Sequence, residues 1–144
     1  MRQPEIPEVA IWQLLCRYCH LVDRGEMTHV VDLFDPEGTV VFPGKPAAKG
    51  RGAILEAYDN WRRSAREPTV WLRHQITTPS IAVDGDRATA VCYLTADFLL
   101  RKKGRVQALA GRYEDELVRR DGRWLFWRRE ILIDSRVDWG EPLP

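Results

Sequence analysis

The sequence has almost no excess of either charge: 22 Lys and Arg stand against 21 Asp and Glu, a formal net charge of +1. Proteins that grip nucleic acid carry a surplus of cations, so nucleic acid is not an expected partner. Long apolar runs are missing too. Nothing approaches the roughly 20 residues that cross a bilayer, and no membrane partner is expected. The opening "MRQPEIPEVA" has no apolar stretch and does not read as a secretory leader, so the cytoplasm is the expected compartment. Cysteine is scarce, and three in such a chain read as reduced thiols rather than a disulfide framework.

What remains is an ordinary globular balance, 44% hydrophobic and 30% charged over 144 residues, enough for one domain spanning 1–144 with a real core. Tryptophan is the exception. Trp12, Trp61, Trp71, Trp124, Trp127 and Trp139 are many for this length, and they are expected to fill a core or line an apolar pocket.

Pro7 and Glu8 suit the first turn of a helix. Ile11, Leu15, Tyr18 and Val22 recur at helical spacing, flanked by Leu14 and Leu21, and Gly25 is a natural stop. Met27, Val30, Val31 and Phe34 form a second, shorter stripe, closed by "DPEG" at 35 to 38. Residues 39 to 42 read as a short strand and 43 to 50 as a loop. Ile54, Ala57, Tyr58 and Trp61 mark a third helix that ends before Pro68. The period then changes. Val70, Leu72, His74 and Ile76 alternate with Trp71, Arg73 and Gln75, as in a strand. Turn signals at 84 to 86, 102 to 105 and 121 to 122 separate strand-like runs at 87 to 100, 106 to 119 and 123 to 134. The expected fold is α+β, with three N-terminal helices packed on a curved, mainly antiparallel sheet. A curved sheet closed by helices encloses a conical cavity where a ligand can sit.

One stretch invites a wrong turn. "CRYCHLVDRG" holds Cys16, Cys19 and His20 as C-x-x-C-H, the spelling of a haem attachment site. On a helix turning about 100° per residue, Tyr18 falls in the apolar stripe, Cys16 well away from it, and His20 opposite. Those three groups do not converge on one haem. A structural zinc site needs four ligands, and here no second cysteine pair exists. Neither haem nor a structural zinc is expected on these grounds.

The same stretch carries Asp23, a carboxylate at the negative end of the helix dipole. It is either solvated beside Arg24 or held by something else. Tyr18, five residues earlier, is either a core tyrosine or a cavity donor. His74 is in phase with Val70, Leu72 and Ile76 and so faces the covered side of the sheet, where a histidine is either a satisfied core residue or a base. A carboxylate on one ring nitrogen would orient it and stabilise its protonated form, and Asp23 is the candidate. The strand position of Asp97 leaves its face open. Arg128 and Arg129 must face opposite ways, and one of them can reach a cavity.

"YCHLVDRGEMTHVVDLFDPEGTVVF" (18 to 42), "GRGAILEAY" (50 to 58), "RHQITTPSIAVDGDRATAV" (73 to 91) and "GRYEDELVRRDGRWLFWRREILID" (111 to 134) resemble the SnoaL-like branch of the NTF2-like superfamily. Within it, the chain looks most similar to the scytalone dehydratase, bile-acid 7α-dehydratase and hexachlorocyclohexane dehydrochlorinase group. The resemblance implies a cone-shaped α+β barrel and a His–Asp dyad working without metal or organic cofactor. It carries His74 and Asp23 over as that dyad and Tyr18 as a cavity tyrosine. It selects Arg129 over Arg128 as the cavity arginine, and matches Asp97 loosely to a second acidic position. One departure is visible: many relatives have Asn four residues after the histidine, where this chain has Thr78.

The expectation is therefore a lyase of the dehydratase type acting on a small hydrophobic cyclic molecule in the cone cavity. Polyketide cyclisation, double-bond isomerisation and non-catalytic ligand binding or a subunit role are the alternatives. A homodimer or homotrimer is expected, with Trp71 or Trp127 exposed on the outer face of the sheet.

Overall fold

Pro7, whose missing N–H costs a first turn nothing, opens helix α1 (Pro7–Arg24) in the computed structural model, which describes residues 4–144. Ile11, Leu14, Leu15, Tyr18, Cys19 and Val22 are buried, the three-and-four spacing of one helix face. Gly25 ends the helix, but not by a left-handed turn: its φ is −90° and its ψ 179°. Space is the reason for glycine. A Cβ there would lie 2.8 Å from the Leu21 side chain. The carbonyls left free at the helix end are taken by Arg66, whose Nη1 donates to Val22 O at 3.1 Å and Gly25 O at 2.8 Å.

The remaining elements are α2 (Met27–Val31), β1 (Phe34–Val41), β2 (Ala48–Lys49), α3 (Arg51–Trp61), β3 (Thr69–Asp84), β4 (Arg87–Leu100), β5 (Arg105–Arg120) and β6 (Arg123–Gly140). Helix α3 continues as a wider π turn over Arg62–Arg66. Two helices thus precede the first strand, and the third follows the β1–β2 pair. The six strands form one sheet in the order β2-β1-β6-β5-β4-β3. The expected meander is β3 to β6, all antiparallel, while β1 adds to β6 in parallel.

Phe34 and "DPEG" depart from expectation. Phe34 does not extend the second helix; it pairs with Phe126 at the start of β1. Residues 35 to 38 are an irregularity inside that strand, not a turn after a helix. Buried Asp35 organises it, accepting the Glu37 N–H at 3.0 Å and pairing with Arg120. A Cβ on Gly38 would lie 2.9 Å from Asp35 O and 3.0 Å from Phe126 O, so only glycine fits.

Strand β3 carries two bulges. Between Thr77 and Ser80 one extra residue enters, with Thr78 at φ 53°. Ile76 and Ile81 are an odd number of residues apart, yet both pack against the core. A regular strand would send them to opposite faces, and the bulge restores the phase. The other bulge lies between Val70 and Arg73, with Trp71 at φ 60°. It puts Val70 opposite Leu99, out of phase with Leu72, His74 and Ile76. The expected phase therefore holds from Leu72 onward but not at Val70.

Between helices and sheet the interior is aromatic. Tyr18 packs edge-on against Tyr58, Tyr113 and Phe126, and Phe34 joins Tyr58 and Phe126, with ring centroids 5.2 to 6.2 Å apart. These rings come from α1, β1, α3, β5 and β6. Of the tryptophans, Trp124 is buried, Trp61 is half-buried at the inner face, and Trp127 lies half-buried beneath Arg87. Trp71 and Trp139 are exposed, as are Tyr93 and Val137 on the outer face. A trough of about 340 Å³ runs there past Gln75, Ala108, Ala110 and Trp139. No helix among the described residues is long and apolar enough to cross a membrane.

Candidate active site

Helix α1 packs along β3, the edge strand of the sheet. An edge strand leaves every second N–H without a ladder partner. Asp23, in the last turn of α1, takes one of them. Its Oδ2 accepts the backbone N–H of His74 at 2.9 Å, and its Oδ1 lies 2.5 Å from the ring Nδ1. Both side chains are 10% exposed. Asp23 is therefore not a solvated helix-end carboxylate. An ionised carboxylate accepts only, so the proton between them belongs to Nδ1 and the neutral ring keeps its lone pair on Nε2. Nε2 makes no hydrogen bond to any described residue. The Trp61 ring stands 6.1 Å from the imidazole, tilted by 56°.

Tyr18 lies deeper on the same helix. Its hydroxyl is 2.8 Å from that of Tyr58, one turn before Trp61 on α3. Both rings are buried. Burial pushes the Tyr18 phenol up to about 12, against a smaller opposing pull from Arg129. Burial also lifts the Tyr58 phenol well above its ordinary value. Both stay protonated donors at neutral pH. Two hydroxyls joined by one hydrogen bond use one of their two protons and keep the other to give.

Arg129 faces inward and Arg128 outward, where Arg128 bonds Glu130 at 2.8 Å. Arg129 is fully buried. Its Nε and Nη2 donate to the two oxygens of Asp115 at 2.8 and 2.7 Å, a bidentate pair. Its guanidinium carbon sits 4.0 Å from the ring centres of Tyr18 and Tyr113 and 4.1 Å from that of Phe126. Burial works against this charge, but the Asp115 carboxylate outweighs it and holds the guanidinium protonated. Nη1 is buried without a partner among the described residues. Arg129 thus faces the core, and two of its three nitrogens are already committed.

Asp97 is not brought to the site. It pairs with Arg73, its neighbour across the β3–β4 ladder, on the face opposite His74. The alternation of buried Ala88, Ala90, Cys92, Leu94, Ala96 and Phe98 along β4 fixes that outward orientation. Cys16 is half-buried, Cys19 buried and His20 exposed, so C-x-x-C-H does not converge. Burial pushes the Cys19 thiol up to about 12, which makes it a core residue rather than a nucleophile. Among the described residues, no three His, Cys, Asp or Glu side chains are grouped to hold a metal ion.

Tyr58 and Trp61 were read only as helix-stripe and core or pocket residues, and Arg66 and Asp115 were not singled out from the sequence. For Asp115 a signal existed, since Tyr113, Asp115 and Leu117 alternate on one strand face. A carboxylate in such a row needs a buried cation, and Arg129 is one. Arg66 carried no comparable pattern.

The SnoaL-like domain family matches the chain over residues 7–130. No curated protein sequence matches it. Among solved structures it is similar to a provisionally assigned scytalone dehydratase from Novosphingobium aromaticivorans, with 22% identity over 95% of this chain and 93% of that one and a TM-score of 0.79. It is also similar to a type-3 hexachlorocyclohexane dehydrochlorinase from Novosphingobium barchaimii, with 18% identity, 96% and 94% coverage and a TM-score of 0.81. An NTF2-like protein with a cystatin-like fold, from N. aromaticivorans, shares 28% identity over 89% and 82% of the two chains, with a TM-score of 0.70. The chain is a member of the SnoaL-like family, with the NTF2-like, cystatin-like fold.

Proposed function

We propose that the protein is a lyase that eliminates water from a small hydrophobic cyclic molecule, with no metal or organic cofactor. The observation that carries this reading is the double hold of Asp23 on His74, at 2.5 Å to the ring and 2.9 Å to the backbone. It fixes the tautomer in which Nε2 is the base. Nε2 takes a proton from a carbon made acidic by a neighbouring carbonyl, and the C–H electron pair becomes the new double bond. Asp23 stabilises the imidazolium so formed. The departing hydroxyl takes the spare proton of the Tyr18–Tyr58 pair and leaves as water. The imidazolium proton then returns the tyrosine to its starting state. Arg129, through its one uncommitted nitrogen and its place 4.0 Å over the Tyr18 ring, favours negative charge on that phenol during the transfer.

A screen of cyclic β-hydroxy ketones by product mass tests the reaction, since elimination loses one water and isomerisation loses nothing. With an active compound in hand, His74→Ala should lower turnover by about two to four powers of ten with an unchanged circular dichroism spectrum. A loss of only a few fold would remove His74 as the base. Double-bond isomerisation is the second reading. It is favoured by the same hydroxyl pair, which can hydrogen-bond an enolate oxygen without any group departing.

A further inference from the structure

The covered face of the sheet continues beyond His74. Across the ladder, His74 stands opposite Ala96, Ala96 opposite Leu109, and Leu109 opposite Arg136. Residues so paired share a face, so Arg136 lies in the same row as the base, three strands away, or ~14 Å at the usual strand spacing. Its guanidinium carbon is 5.9 Å from the centre of the Phe98 ring, which lies on that face next to Ala96. Half-buried Leu109 and exposed Ile133, backed by buried Ala96 and Phe98, give this region an apolar floor.

Arg136 differs from the arginines around it. Arg73, Arg105, Arg112 and Arg128 each have a carboxylate within hydrogen-bond reach, from Asp97, Asp138, Glu114 and Glu130. Arg136 forms no ion pair with any described residue. The acids nearest in sequence are engaged elsewhere: Asp138 by Arg105, and Asp134, at 3.9 Å, by Arg112. A second polar group on the same floor is unsatisfied as well. Gln107, opposite Phe98 in the ladder, has its Oε1 buried without a partner among the described residues.

We infer that the substrate carries a carboxylate, held by Arg136 while its apolar ring reaches His74. A guanidinium fork matches a carboxylate, and its charge is not spent inside the protein. With Arg105 already neutralised by Asp138, a single guanidinium fork at Arg136 suits a carboxylate. The apolar floor between the two ends suits the body of such a molecule. The inference rests on His74 marking the reacting end, but it is tested by binding and not by turnover.

The probes are 4-cyclohexylbutanoate and its primary amide, titrated calorimetrically at low salt. The acid should bind roughly tenfold more tightly than the amide, and the preference should shrink with added salt. It should vanish in Arg136→Gln, an exposed substitution whose fold is checked by thermal melting, and persist in Arg105→Gln and in His74→Gln. The His74 ring proton resonances should shift on binding, which places the probe across the row. Equal binding of acid and amide, binding of neither at millimolar concentration, or a preference that survives Arg136→Gln overturns the inference. If the preference behaves as expected while His74→Ala keeps its activity, the anchor stands and the lyase reading falls.

Discussion

Asp23 holds His74 by two oxygens, one on the ring Nδ1 and one on the backbone N–H. The second contact fixes the strand against the helix end as well as the ring in its plane. Asp23→Asn should keep much of that packing but reverse the chemistry. If the amide turns its NH2 to Nδ1, that nitrogen must become an acceptor, and the proton moves to Nε2. The base is then blocked. Turnover should fall by about two to four powers of ten, as for removal of a positioned base. Nitrogen NMR of the imidazole should report the changed tautomer. Near-normal activity in the Asp23→Asn variant would mean the dyad does not set the proton position.

Helix α1 was legible because its burial pattern is written in one chain segment, which also put Tyr18 on the buried face. Asp23 was a candidate partner for His74, and only the family resemblance joined the two as a dyad. The errors come from events between segments. Phe34 fits a helical stripe locally, yet pairing with Phe126 claims it for a strand. Val70 alternates correctly along the sequence, and an inserted residue at the Trp71 bulge throws it out of phase. Asp115 meets Arg129 only because β5 and β6 adopt one register, which no single segment encodes. The interior cluster likewise forms between segments: five aromatic side chains from α1, β1, α3, β5 and β6 converge there, each ordinary in its own element.

The Asp115–Arg129 pair should be sensitive to halves and tolerant of the whole. Asp115→Ala leaves a guanidinium buried with no counter-charge, and should cost about 3–5 kcal/mol in urea denaturation. Replacing both partners, as Asp115→Leu with Arg129→Met, removes both desolvation costs and should recover most of that loss. A double variant as unstable as the single one would show that the pair's shape, not its charge balance, supports the core.

Thr78 holds a left-handed conformation at φ 53°, which a β-branched residue adopts at a cost of about 1–2 kcal/mol. Pro79 follows it in the bulge and has no N–H to leave unpaired. Asparagine tolerates that conformation through its short polar side chain. Thr78→Asn should therefore raise stability by about 1 kcal/mol, seen as a higher urea midpoint with an unchanged slope. A lower midpoint would mean that the threonine methyl packs well enough to outweigh the strain.

Three of the four tyrosines should resist alkali together. Burial pushes Tyr18 up to about 12 and lifts Tyr58 and Tyr113 well above the ordinary phenol value. The folded state prefers the neutral phenols. Their contribution to stability is complete below the unfolded value of about 10 and is lost as pH rises through the folded values. At about pH 11 the native protein should show no more than one tyrosinate by absorbance, and the rest should appear with unfolding in a single cooperative step. Urea midpoints should fall steadily over the same range. Early ionisation of three tyrosines without loss of structure would mean that the Tyr18–Tyr58 pair is open to solvent.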